Sequence, residues 1–199
     1  MTDKRQRLLN AAIHLFHARG FWDTPTALVA REAGVANGTL FNYFPSKSSL
    51  VDAVYLSLKQ DWADYMLAPE GNQAGMDLRQ QMRWFWRRAI DWALNHPDRY
   101  ALLMQMKISE HISDGTRNSG MDVFTPITHI MRKAQTSGKI IALPDGFLET
   151  LSLAQIDVVL RQCALMPTEM VDDLTDLGFD VFWRGIAAPI HGEISHDAN

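Results

Sequence analysis

The sequence has a single cysteine, Cys163, so an intramolecular disulfide and a cysteine-rich zinc site are both excluded. It has no run of about 18 apolar residues, and no membrane span is expected. Its first twenty residues, "MTDKRQRLLNAAIHLFHARG", are broken throughout by polar side chains and lack the continuous apolar stretch of a signal peptide. A cytoplasmic location is the expectation. Strand alternation, hairpin turns, internal repeats and low-complexity tracts are absent. So are a glycine-rich phosphate loop, a nucleophile elbow and a zinc-protease motif. His14 and His17 stand three apart with no second pair of ligands, and Glu110, His111 and Asp114 fall in an expected loop without a matching partner. No catalytic residue, metal or cofactor is expected, and the chain is not read as an enzyme.

What is present is an ordinary globular composition, 47% hydrophobic and 21% charged, in 199 residues. The formal net charge of -4 hides an asymmetry. Residues 1–50 carry Lys4, Arg5, Arg7, Arg19, Arg31 and Lys47 against Asp3, Asp23 and Glu32, whereas the remainder is strongly acidic. A basic end on an acidic body suits a molecule that meets a polyanion with one end only.

Nearly every segment reads as helix. Over residues 3–19, Leu8, Ala11, Ala12, Leu15 and Phe16 form an amphipathic stripe, and Gly20 stops it. A second helix is expected from Pro25 to Ala33, with Thr24 as N-cap. A short third helix follows from Asn37 to Phe44, stopped by Pro45. Ser46 is placed to cap a fourth that reaches about Leu67. Further helices are expected over 76–95, 97–108, 120–136, 145–165 and 168–187. They are separated by "APEGNQAG", "HPD", "SDGTRNSG", "SGK", "LP" and "MP". The last ten residues, "IHGEISHDAN", read as a loose tail.

The second and third helices, joined around Gly34, form a helix-turn-helix. Gly34 is free to take φ > 0 there, and Ala30 and Ala33 let the helices cross closely. At 100° per residue, Leu40 and Phe44 lie about 40° apart and face inward. Asn37, Gly38, Phe41 and Asn42 spread over the opposite arc, with Thr39 and Tyr43 on a flank. A recognition helix requires this division between an anchored edge and a presented one.

"LLNAAIHLFHARGF" followed by "TALVAREAGVANGTLFNYFPSKSSLVDAV" resembles the N-terminal domain of the tetracycline-repressor (TetR) family of bacterial regulators, over about residues 4–55. Beyond residue 55 the likeness is architectural only. The resemblance implies an all-α chain with two parts. Residues 1–50 would be a helix-turn-helix DNA-binding domain, and 51–199 a larger helical domain for ligand binding and dimerisation, with the fourth helix (about 47–67) linking them. It implies phosphate contacts for Thr26, Thr39, Tyr43 and Lys47, and base-facing positions for Asn37, Gly38 and Phe41. Asn42 shares the presented arc. The sequence departs from the family at Phe41, where tyrosine is usual, at Ala36, where a capping serine is frequent, and at Ser48 and Ser49, where acids are common. Ala27 has almost nothing with which to read a base, so moderate specificity with a shape component is expected.

Nine of the ten methionines and five of the six tryptophans lie after residue 60. The resemblance implies a ligand pocket in this body. Composition points to Trp62, Tyr65, Met66, Trp86, Met104, Phe124, Met131 and Gln155 as candidates, with ordinary core packing as the alternative for each. Around "MRWFWRRAIDW", the densest aromatic patch, Leu78, Met82, Phe85, Ala89 and Trp92 make the expected core stripe, and Trp84 is an aromatic on a polar face.

The last two helices are candidates for a dimer four-helix bundle. One would present Phe147, Leu151, Ala154 and Val158. The other would present Met170, Leu174, Leu177, Val181 and Phe182, with Gly178 admitting a partner helix. The expected whole is a homodimer bound to double-stranded DNA at a pseudo-palindromic operator. It is most simply a repressor released by a small apolar effector. An activator of the same fold remains open, as does a helical scaffold or enzyme that binds no DNA.

Overall fold

The computed structural model describes residues 4–69 and 75–189. The described residues form ten α-helices and one 3-10 turn. They are α1 (Lys4–Arg19), α2 (Thr26–Glu32), α3 (Asn37–Tyr43), α4 (Lys47–Leu67), α5 (Leu78–Asn95), α6 (Pro97–Lys107), α7 (Asp114–Asp122), α8 (Thr125–Thr136), α9 (Phe147–Cys163) and α10 (Val171–Ile186). The 3-10 turn (Thr168–Met170) leads into α10. One isolated antiparallel bridge joins Ile140 to Ala187. The tail "IHGEISHDAN" and most of the "APEGNQAG" break lie outside the described residues.

The chain divides into two compact units, Met1–Ala68 with Asp91–Thr125, and Pro69–Ile90 with Pro126–Asn199. In the first, α1 is packed by α2, α3, α4 and α6. It therefore buries Leu9 and Ile13 in addition to its Leu8, Ala11, Ala12, Leu15 and Phe16 stripe. Thr24 does not cap α2, which begins at Thr26 behind Pro25. It is fully buried, and its hydroxyl donates to the Gly20 carbonyl (2.8 Å) at the end of α1. Tying down an exposed helix terminus satisfies that hydroxyl in a place where a solvent-facing cap would not.

The segment "SDGTRNSG" is helical rather than a break. The Ser113 hydroxyl accepts the Thr116 N–H (3.1 Å) and caps α7, with Asp114 in its first turn. The expected helix over 120–136 is interrupted at Val123 and Phe124. It restarts as α8 at Thr125, with Pro126 in the first turn, where no N–H is needed. Gly120 seats α7 on α4: a Cβ there would stand 2.8 Å from Cε1 of Tyr55.

In the second unit, α5 turns Trp86 into the core. Its ring stacks on Phe182 at 5.4 Å and its indole N–H donates to the Thr175 carbonyl (3.0 Å). Phe85, assigned to the core stripe from sequence, is only half-buried. Arg79, Arg83 and Arg87 of α5 pair with Asp176 and Asp180 of α10. α9 buries Leu148, Ile156, Val159 and Cys163, and α10 buries Thr175, Gly178, Phe179, Phe182 and Ile186.

Candidate nucleic-acid interface

The turn between α2 and α3 is made by Gly34, at φ 64°. Its N–H donates to the Arg31 carbonyl and that of Val35 to the Ala30 carbonyl (3.0 Å), which closes α2 and redirects the chain. α3 begins at Asn37 behind Ala36, which supplies no side-chain cap. Leu40 and Phe44 are buried, and Arg5 of α1 lies over the Phe44 ring at 5.6 Å. Asn37, Gly38, Phe41, Asn42 and Tyr43 are exposed, and Thr39 is half-buried beside them. Phe41 and Tyr43 are 41% and 40% exposed, an unusual amount of aromatic surface for seven residues. A Cβ on Gly38 would meet nothing within 4 Å. The fold itself therefore makes no demand for glycine there. Thr26 opens α2, half-buried.

α4 starts beside this face. Ser46 and Ser49 form a reciprocal capping box, each hydroxyl bonded to the other's backbone N–H at 3.0 Å. Lys47 is the first residue of the helix, where the unsatisfied N–H groups and the dipole favour an anion. Its ammonium donates to the Trp22 carbonyl and lies 5.3 Å over the Trp22 ring. That ring stacks on the His111 imidazole at 4.0 Å and an interplanar angle of 6°. An ammonium has three donors, so two remain. Nothing in the sequence marked Trp22 and His111 as the supports of Lys47, because they are 25 and 64 residues away from it.

Three turns along α4 lies a residue that sequence reasoning missed. Lys59 is 1% exposed. Its ammonium reaches Sδ of Met121 at 3.7 Å and lies 5.2 Å from the Phe124 ring and 5.9 Å from the Tyr55 ring. Among the described residues no carboxylate stands within ion-pair distance of it. Burial, and then the nearby Lys107, lower its pKa to about 8. Two cation–π contacts are worth about 1–4 kcal/mol together, against a desolvation cost of several kcal/mol for a buried ion. The available signal was positional: Lys59 is four residues after Tyr55 and three before Trp62, on the apolar side of α4.

The candidate pocket residues fall in both units. Trp62, Tyr65, Met66, Met104 and Phe124 belong to the first unit, and Trp86, Met131 and Gln155 to the second. Trp62 is the centre of an aromatic group. It meets Trp92 at 5.8 Å, Tyr100 at 5.9 Å and the edge of Phe124 at 5.9 Å. Tyr65 donates to Asp91, and Met104 is half-buried. Trp86 is occupied by α10, as described above.

The stripes at the end of the chain split into two sets. Phe147, Ala154, Val158, Met170, Leu177 and Val181 are exposed, Val158 and Leu177 each by 59%, and Leu151 and Leu174 are half-buried. Gly178 and Phe182 turn the other way. A Cβ on Gly178 would collide with Val159 of α9, so this glycine admits a helix of its own chain, where the sequence pattern suggested a partner's. Phe182 is consumed by the stack with Trp86.

The family model of the bacterial regulatory proteins of the tetR family matches residues 8–54. A protein of Shewanella sp. PV-4 assigned to the tetR family of transcription regulators shares the fold with a TM-score of 0.85. It is 31% identical, over 94% of this chain and 99% of that one. The nucleoid occlusion factor SlmA of Haemophilus influenzae (strain PittGG) is 40% identical over 55 residues, 27% of this chain and 25% of that protein. The HTH-type transcriptional regulator BetI of Proteus mirabilis (strain HI4320) is 38% identical over 50 residues, 25% of each chain. The chain thus spans a quarter of the length of these two relatives, through the helix-turn-helix. A helix-turn-helix on an all-helical body defines the class of DNA-binding transcription regulators, proteins that are not enzymes. Within that class the chain belongs to the TetR family.

Proposed function

We propose that this regulator is a homodimeric cytoplasmic repressor that leaves its operator when a small molecule binds its body. The observation that carries the DNA part is the presented face of α3. Leu40 and Phe44 hold the helix down while Asn37, Gly38, Phe41 and Asn42 are open to the major groove. Thr26, Thr39, Tyr43 and Lys47 serve as backbone grips around it. Phe41 has no hydroxyl and packs on a thymine methyl instead. Exposed Phe147, Ala154, Val158, Met170, Leu177 and Val181, with Leu151 and Leu174, support a dimer built on α9 and α10, since apolar patches of this kind are otherwise costly in water. Two recognition helices then meet successive major grooves about 34–36 Å apart. Among the described residues no helix is long and apolar enough to cross a membrane.

Release requires an effector that prefers the off-DNA form; tight binding alone shifts nothing. A coupling of about 1–3 kcal/mol changes DNA affinity roughly 5–150-fold. A gel shift on DNA from upstream of the protein's own gene, repeated with candidate effectors, tests the reading. A retarded band at low salt that is lost with effector is the expected result. No band at low salt sinks DNA binding, and a band strengthened by effector with transcription switched on replaces repressor by activator. Phe41→Ala should relax the preference at one thymine per half-site by about 1 kcal/mol, read in a randomised-site selection.

A further inference from the structure

We infer that the effector is an apolar molecule carrying one anionic group, a carboxylate being the simplest, and that Lys59 binds that group. The inference rests on the effector-responsive reading and names its ligand class. Lys59 is a whole lysine side chain inside the first unit, its ammonium set against a thioether and two rings. Met121 sulfur is a weak acceptor, and the rings offer only their faces. None of the three neutralises a charge. A lysine kept for structure alone would let its ammonium reach water, as surface lysines do, and this one does not. At neutral pH the group is still mainly protonated, since its pKa lies at about 8.

The surroundings complete the ligand description. The Phe124 ring under the ammonium stands edge-on to Trp62, which also meets Trp92 and Tyr100. An apolar aromatic wall beside a single cation suits an amphipathic acid. A neutral ligand would leave the cation buried and unneutralised, and a cationic one would meet Lys59 and, near it, Lys107. Arg117 is not a competing anchor, because its guanidinium donates to the Lys107 and Ser109 carbonyls.

Access also has a physical route. α7 lies over Lys59 at Gly120, where an added Cβ would stand 3.4 Å from Cγ of Lys59, and at Met121, a flexible side chain that yields easily. Because Lys59 and Lys47 share α4, about 18 Å apart along its axis, the anion would be sensed on the helix that begins at the DNA grip.

Saturation binding followed by tryptophan emission, on the full chain, tests this. The probes are octanoate and 4-phenylbutyrate, each against its matched alcohol, octan-1-ol and 4-phenylbutan-1-ol. The wild type should bind each acid about tenfold or more tightly than its alcohol. Lys59→Met should bring acid and alcohol to within about twofold, and Lys59→Arg should keep a preference for the acid. Circular dichroism melting confirms that both variants are folded. Equal binding of acid and alcohol by the wild type, a preference that survives Lys59→Met, or no saturable binding of any of the four probes overturns the inference. DNA retention is measured in parallel. If the acids bind through Lys59 while DNA affinity stays unchanged, the anion site stands and the ligand-responsive reading falls.

Discussion

α4 carries two lysines in opposite circumstances. Lys47 sits at the helix start with one donor on a carbonyl, a ring beneath it and its side chain partly open to solvent. Lys59, twelve residues later, is sealed among Tyr55, Met121 and Phe124. The same side chain is inexpensive at one end of the helix and destabilising at the other. Solvation makes the difference: the charge at the end is hydrated and backed by a helix dipole, and the inner one is neither. Where a chain tolerates such a cost, the explanation belongs with binding rather than with folding.

The comparison breaks most visibly if Lys59 is removed. The folded chain holds its proton with a pKa of about 8, against an ordinary 10.5. The unfolded chain therefore binds this proton more tightly, and the fold carries a penalty on the order of 3 kcal/mol at pH 7. That penalty fades as pH rises from about 8 towards 10.5. Lys59→Met should raise urea-unfolding stability by about that amount at pH 7, and the gain over wild type should shrink by pH 10. Tyr55, whose hydroxyl burial pushes up, adds an opposite loss of stability only above about 10. A pH-independent gain would mean that the ammonium is solvated after all. Lys47→Ala should leave stability nearly unchanged but weaken operator binding about tenfold. It should also lower the salt slope by about 0.9 for each phosphate released, as read in a salt titration. Ser46→Ala, which removes the cap at Lys47's end of the helix, should cost about 1 kcal/mol of stability. Trp22→Ala should change DNA affinity least, by about threefold at most, with an unaltered salt slope because the number of charges is the same. A lowered slope there would make Trp22 a support without which Lys47 reaches no phosphate.

The helix-turn-helix was legible because its determinants are local. Gly34 needs φ > 0, Leu40 and Phe44 share a face, and Ser46 caps the next helix; each is decided within a few residues. The rest depended on contacts distant in sequence. α7 was hidden because its polar composition looks like a loop, and only the Ser113 cap and the seat of Gly120 on α4 make it a helix. Thr24 looked like a cap, but packing gave its hydroxyl to α1. For α9 and α10 the apolar stripes did not say which residues face inward. The Trp86 ring and Val159 decide it, by claiming Phe182 and Gly178 and leaving Val158, Leu177 and Val181 outside. Lys59 was missed because a single lysine scarcely disturbs an apolar stripe when the helix is read as a period.

α7 also has a kinetic meaning. This nine-residue helix has one buried residue, Gly120, and is otherwise tied down by polar contacts, the Ser113 cap and the Arg117 guanidinium, so its local opening should cost less than global unfolding. Hydrogen exchange should then find its amides faster than those of α4 beneath. A shelter that opens in this way would shut the buried charge away on average rather than permanently.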